Sequence, residues 1–283
     1  MPDRIELQKR EIDYKSLKNY AGKESDCSVV SPSSEYDGYC DGKKVLTVRR
    51  FSEAVVNNLR YAVTTIKYGG NKRTGGIKSD CATFGYHPRN VIMNNFCRTA
   101  NLSSKYPYEH NIFCNYGKLV ESFYKEHYPE VHSRHKAEVE KKISPDWRLD
   151  DSIFTSGIIN KSTELKYHRD AGNVKSGYSV MIVLRKNTKG GSLLIPEYDL
   201  RIKCEDRSVI IFDNPNLAHA VSPIYGKSAQ GSYRYSVIWY SLEQLWKCLP
   251  VGEELERARL ARQDVERRRA NYDPGLHPDP EKI

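Results

Sequence analysis

The sequence predicts an α+β protein that is mainly β: a double-sheet jelly roll with supporting N-terminal helices packed against one sheet. Two observations predict it. From residue 150 onward, short apolar runs alternate with turn signals, giving seven or eight strands in about 90 residues. Ahead of that stretch, apolar residues recur instead at helical spacing. A chain of 283 residues with 39% hydrophobic and 29% charged residues can bury a core, which excludes a disordered chain.

In chain order, residues 1–45 are polar and read as an irregular N-terminal extension. Residues 46–250 form one domain, with a helical, basic support region (46–149) and a β core (150–245). Within the support region, SEAVVNNLRYAVTTI (52–66) puts Val55, Val56, Leu59, Ala62, Val63 and Ile66 on one helical stripe, stopped by Gly69-Gly70. The basic, glycine-rich segment GGNKRTGGIKSD (69–80) reads as a mobile loop. IFCNYGKLVESFYKEH (112–127) is a second amphipathic helix, and a more charged one follows at about 130–142. The strand runs are 153–159, 178–185, 192–196, 198–204, 208–213, 219–223 and 233–241. Residues 251–283 form a charged helix and a Pro-rich tail.

Seven scattered cysteines with no CxxC pair argue against a disulfide framework or a structural zinc site. No run of about 18 apolar residues suits a membrane span. The first residues lack the apolar region of a secretory signal. The expected location is intracellular, in the cytoplasm of a bacterium or infected host cell, or in a nucleus. No obligate protein partner is visible.

The net charge of +9 is unevenly placed. Residues 41–120 carry 13 basic and 4 acidic side chains, so the whole surplus lies in that stretch. Tyr61, Tyr68, Phe84, Tyr86, Phe96, Tyr106, Tyr108 and Tyr116 are interleaved with it. Cations neutralise phosphates and aromatic faces stack on bases, so this block is the expected nucleic-acid contact. A solvated basic face over core aromatics is the alternative.

Three segments carry candidate chemistry: YHRDAGN (167–173), LAHAV (217–221) and YRYS (233–236). Residues two apart on a strand share a side, so His168 and Asp170 can aim at one point. His219 starts a later strand that jelly-roll pairing can bring alongside. Two imidazoles and a carboxylate make the facial triad of non-haem Fe(II) oxygenases, with positions left for a co-substrate and O2. Arg234 follows His219 by 15 residues on the last strand, with Ser236 on the same face. A guanidinium plus a hydroxyl suits the distal carboxylate of 2-oxoglutarate. Taken singly, each residue has a plainer reading: a packed core histidine, a turn-capping aspartate, a surface arginine.

HRDAGNVKSGYSVMIVL (168–184) resembles the core segment of the ten-eleven translocation/J-binding protein (TET/JBP) dioxygenases, through His-Arg-Asp, Asn173, Gly177, Val180 and Leu184. GGSLLIP (190–196), the His219-to-Arg234 spacing and Tyr-Arg-Tyr-Ser also fit. The resemblance covers roughly 150–245 and points to a small bacterial or phage-type member. It implies a double-stranded β-helix that uses Fe(II), 2-oxoglutarate and O2 to hydroxylate the 5-methyl group of 5-methylcytosine or thymine in DNA, with the base flipped out. By the resemblance His168, Asp170 and His219 hold iron, Arg234 binds 2-oxoglutarate, and Asn173 contacts the base. Arg89 and Arg98 are further candidates for phosphate or 2-oxoglutarate. Two other readings stay open: a protein or small-molecule hydroxylase with the same iron centre, and a non-enzymatic jelly-roll binding module.

Overall fold

The computed structural model describes residues 2–32, 35–72, 78–90 and 96–271. Its framework is a ten-stranded sheet, counted among the described residues. From one edge the strands run Asp3–Glu6, Tyr36–Cys40, Lys43–Arg50, Ser208–Phe212, Ser179–Lys186, Tyr233–Tyr240, Ser156–Lys161, Lys78–His87 and Gly69–Lys72. Arg98–Thr99 pairs with Lys78–His87 off this path. A five-stranded sheet faces it, in the order Val29–Val30, Leu200–Ile202, Leu193–Ile195, His219–Val221 and Leu165–His168.

Side-chain alternation explains how the central strands serve two cores at once. Along Ser179–Lys186, Met181 and Val183 enter the space between the sheets with Leu193, Ile195, Leu200 and Ile202. Val180, Ile182 and Leu184 point the other way, where they join Val56, Leu59, Phe113, Val120 and Tyr124 from the helices. A strand buried on both faces reads as an unbroken apolar run, as this one does. The helices are Glu53–Thr65, Pro107–His127 and Pro129–Lys142, close to the expected positions. Ser52 caps the first by accepting from Val55 N.

Three expectations need correction. Residues 1–45 are not irregular. Asp3–Glu6 runs parallel to Tyr36–Cys40, and Val29–Val30 adds to Leu200–Ile202. Asp41 and Gly42 both take positive φ, 50° and 71°, and close the hairpin between Tyr36–Cys40 and Lys43–Arg50. Asp-Gly is the ordinary signature of that two-residue turn. The support region 46–149 is only partly helical. Gly69–Lys72 and Lys78–His87 form an antiparallel pair where a mobile loop was expected, although residues 73–77 fall outside the described ones. Cys97 and Cys248 form a disulfide across 151 residues. The scattered cysteines argue against disulfides, and this bond departs from that expectation: a bridge of that span leaves no local spacing to read.

The helix Val251–Ala270 is present as expected, seated on the body through buried Glu254 and Ala258. Among the described residues, no helix is long and apolar enough to cross a membrane.

Candidate metal centre and carboxylate pocket

His168 is the last residue of the strand Leu165–His168, and His219 is the first of His219–Val221. Antiparallel pairing sets the two directly opposite each other, with ring centroids 4.3 Å apart. Asp170 lies just past the strand end, where its backbone N–H donates to Asn214 O. Each of the three residues offers a ligand atom, and these atoms all lie within 4.8 Å of one another. His168 Nε2 is 3.5 Å from Asp170 Oδ1, and His219 Nε2 is 3.8 Å from Asp170 Oδ2.

The opposite ring nitrogens fix the tautomer. His168 Nδ1 donates to Lys166 O at 2.7 Å and His219 Nδ1 to Leu217 O at 3.1 Å. With the proton on Nδ1, each Nε2 presents a lone pair to the shared centre. Asp170 Oδ2 accepts from Asn214 Nδ2 at 2.5 Å, while Asn214 Oδ1 accepts from Ser179 N. Burial opposes ionisation of Asp170, yet His168, His219 and Asn214 outweigh it and hold the carboxyl well below the usual range. Burial, with the His168 charge, pushes His219 down to about 4. The set offers two imidazole nitrogens and one carboxylate, the donor chemistry of a facial transition-metal site with open positions.

Arg234 stands on the ten-stranded sheet, on the strand face turned away from the helices. It sits in Tyr233–Tyr240 and is 1% exposed. Nη2 donates to Gly191 O at 2.8 Å, whereas Nε and Nη1 are buried with no hydrogen-bond partner. Gly191 has φ +67°, and a Cβ there would lie 2.7 Å from Arg234 Nε. Glycine thus makes the room in which the guanidinium lies. Arg185, directly across the strand pair, spends its guanidinium on the Thr188, Gly190 and Cys204 carbonyls. Burial, together with the Arg185 charge, pushes the Arg234 pKa down. A buried cation with two open N–H groups calls for an anion, and a carboxylate matches its fork. Ser236 is buried on the same strand face, its Oγ accepting from Asn160 Nδ2.

The remaining candidates diverge. Asn173 is buried three residues past Asp170, its amide donating to Ser179 Oγ and its backbone bridging Leu242. Arg89 is committed elsewhere: it ion-pairs with Glu254, a carboxylate that also accepts from Cys97 N and Leu249 N. Its place is at the base of the C-terminal helix. Arg98 pairs across from His87, with Nη1 buried and without a hydrogen-bond partner. Asn214 escapes sequence reasoning because Asp213-Asn214-Pro215-Asn216 carries only a turn signal.

The Tet_JBP family model, described as the oxygenase domain of the 2OGFeDO superfamily, matches residues 84–243. The thymine dioxygenase JBP1 of Trypanosoma brucei brucei is 23% identical over 192 residues, covering 67% of this chain and 22% of JBP1. The bifunctional helicase and thymine dioxygenase JBP2 of T. brucei brucei (strain 927/4 GUTat10.1) is 26% identical over 124 residues, covering 44% of this chain and 11% of JBP2. The chain thus spans about a fifth of JBP1. Among solved structures, NgTET1 in complex with 5mC DNA superimposes with a TM-score of 0.56 at 14% identity, covering 84% of this chain and 94% of NgTET1, a likeness of fold. With the family match spanning more than half of the chain and containing all three metal-site residues and Arg234, the protein belongs to the Tet_JBP family of 2-oxoglutarate and iron dioxygenases.

Proposed function

We propose that this protein hydroxylates the 5-methyl group of a pyrimidine, thymine or 5-methylcytosine, in DNA. The carrying observation is the pairing of His168, Asp170 and His219 within 4.8 Å with a buried Arg234 that keeps two N–H groups open. The donor set fits Fe(II), and the open guanidinium fits the distal carboxylate of 2-oxoglutarate. When bound, Fe(II), 2-oxoglutarate and O2 together insert one oxygen into a C–H bond, releasing succinate and CO2.

The chain's own residues supply placement. His168, Asp170 and His219 would hold the metal, and the metal would bind the co-substrate. Arg234 and the Ser236 hydroxyl orient 2-oxoglutarate from the ten-stranded sheet, and the buried setting excludes water. The 5-methyl group belongs to a base in a stack, so the nucleotide flips out, at a cost of a few kcal/mol. Asn173, at the turn after Asp170, is the proposed base contact. Arg98 is a further proposed contact, to a phosphate or to 2-oxoglutarate. Thymine as target is supported by the names of the JBP1 and JBP2 relatives, and 5-methylcytosine by that of the NgTET1 complex.

The test is incubation of methylated and unmethylated duplex DNA with the protein, Fe(II) and 2-oxoglutarate, followed by nucleoside mass spectrometry. The expected result is one added oxygen on 5-methyl-2′-deoxycytidine or thymidine. Succinate release without any change in the nucleosides, stimulated by a peptide or metabolite, would move the substrate to another class.

A further inference from the structure

Glu197 lies outside the ligand set and is 4% exposed. It follows the strand Leu193–Ile195, which pairs with His219–Val221. One of its oxygens, Oε1, accepts two hydrogen bonds: from Arg169 Nη2 at 3.1 Å and from Ala218 N at 2.9 Å. Arg169 stands between His168 and Asp170, and Ala218 immediately precedes His219. A single carboxylate oxygen therefore joins the two segments that bring the ligands together.

The join matters because the strand ladder there is short. Leu165–His168 and His219–Val221 pair at His219–His168, then slip register before Val221–Leu165. Metal–ligand distances are set to within about 0.2 Å, finer than one irregular pair of strand ends enforces. Arg169 is itself held. Its guanidinium carbon lies 4.4 Å from the Tyr14 ring centroid, and Tyr14 Oη accepts its backbone N–H at 3.1 Å. Arg10 N donates to Glu197 O, and Asn19 and Tyr20 exchange backbone hydrogen bonds with Tyr167. The N-terminal segment thus closes over the same join.

We propose that Glu197 is a positioning residue of the metal site, fixing the His168–Asp170 pair relative to His219 through Arg169 and the Ala218 N–H, with Tyr14 bracing Arg169. The inference rests on those three residues being the metal ligands.

The test is titration of the metal-free full chain with Co(II) alone, followed by its visible absorption, for wild type, Glu197→Gln, Arg169→Met and the double variant. Each single variant is expected to weaken Co(II) binding by about 10–100-fold, the range for partners one layer outside a metal. The double variant is expected to be no weaker than the worse single one, because both break one connection. Asp37→Asn is the control. It removes a buried partner of Arg49 and Thr47 in the ten-stranded sheet, so it should lower the melting temperature and leave Co(II) affinity unchanged. Should Glu197→Gln fail to fold, Arg169→Met decides, since that side chain is 35% exposed. Wild-type Co(II) affinity in folded Glu197→Gln or Arg169→Met would overturn the inference and leave the metal site standing. Failure of the wild type to bind Co(II) would overturn both.

Discussion

The proposed metal ligands and Arg234, taken as the two walls of the proposed site, are positioned by different means. Arg234 sits within a strand that is paired on both sides: opposite Arg185 on one flank, and bonded through its own N and O to Ser162 on the other. Its position follows from the ten-stranded sheet itself. The metal ligands sit where strands end. Leu165–His168 is the edge of the five-stranded sheet, and Asp170 lies beyond it. Their geometry depends on tethers: Asn214 on Asp170, carbonyls on both Nδ1 atoms, and Glu197 between the segments. One wall is rigid by topology, and the other is rigid by side-chain contacts. Disturbing either wall should therefore leave the other's ligand largely unaffected.

The largest separation is expected from Asp170→Ala. It removes the only charged ligand of the three, so metal affinity should fall beyond the roughly 100-fold reached by losing an outer partner, and turnover with it. The fold should survive, since Asp170 lies past the strand end and what is left behind is an unpaired Asn214 amide, costing about 1–3 kcal/mol. Calorimetric metal titration beside circular dichroism checks both halves. Retained metal affinity would remove Asp170 from the ligand set.

Arg234→Met probes the other wall. Losing one partner of a buried ion pair costs about 2–5 kcal/mol, so 2-oxoglutarate affinity should drop about 30- to several-thousand-fold while metal affinity holds. Without co-substrate the sign reverses. The wild-type guanidinium is buried with two open N–H groups, and replacing it with an apolar chain of similar volume should leave stability equal or higher by about 1–4 kcal/mol. A lower melting temperature of the co-substrate-free variant would mean that Arg234 is a structural cation.

How much of this was legible in the sequence follows the same division. The run 178–185 reads as a strand because both faces of Ser179–Lys186 are buried, and 52–66 reads as a helix because only one face of Glu53–Thr65 is. His168, Asp170, His219 and Arg234 stand out because few other roles suit that spacing. What stayed hidden depends on partners distant along the chain. Val29–Val30 is a two-residue strand that exists because Leu200–Ile202 offers an edge. Arg89 reads as free positive charge until Glu254, 165 residues away, is found against it. Asn214 and Glu197 act on the ligands through contacts that no local pattern encodes. Gly177 reads as a motif position, and the structure gives it a packing reason: a Cβ there would run into the His135 ring.

The smallest effect is in pH, and it again distinguishes the walls. Burial first, then the nearby charge of His168, holds His219 at about 4, below its ordinary value of 6.5. Burial with Arg98 does the same to His87, and burial with His132 to His135, each to about 4. Between pH 6.5 and 4 the unfolded chain therefore binds more protons than the folded one. Stability is fully present above 6.5 and falls as pH drops towards 4. One such group contributes at most about 1.4 kcal/mol per pH unit. Denaturant unfolding of the metal-free protein at pH 7, 6 and 5 should show this decline, and His219→Gln should make it shallower by one group's share. A saturating metal should keep that share of the slope in wild type and extend it below pH 4, because the metal holds His219 unprotonated while the unfolded chain takes up its proton. An identical slope in wild type and His219→Gln would show that His219 titrates normally, and that burial at the metal wall does not set its charge.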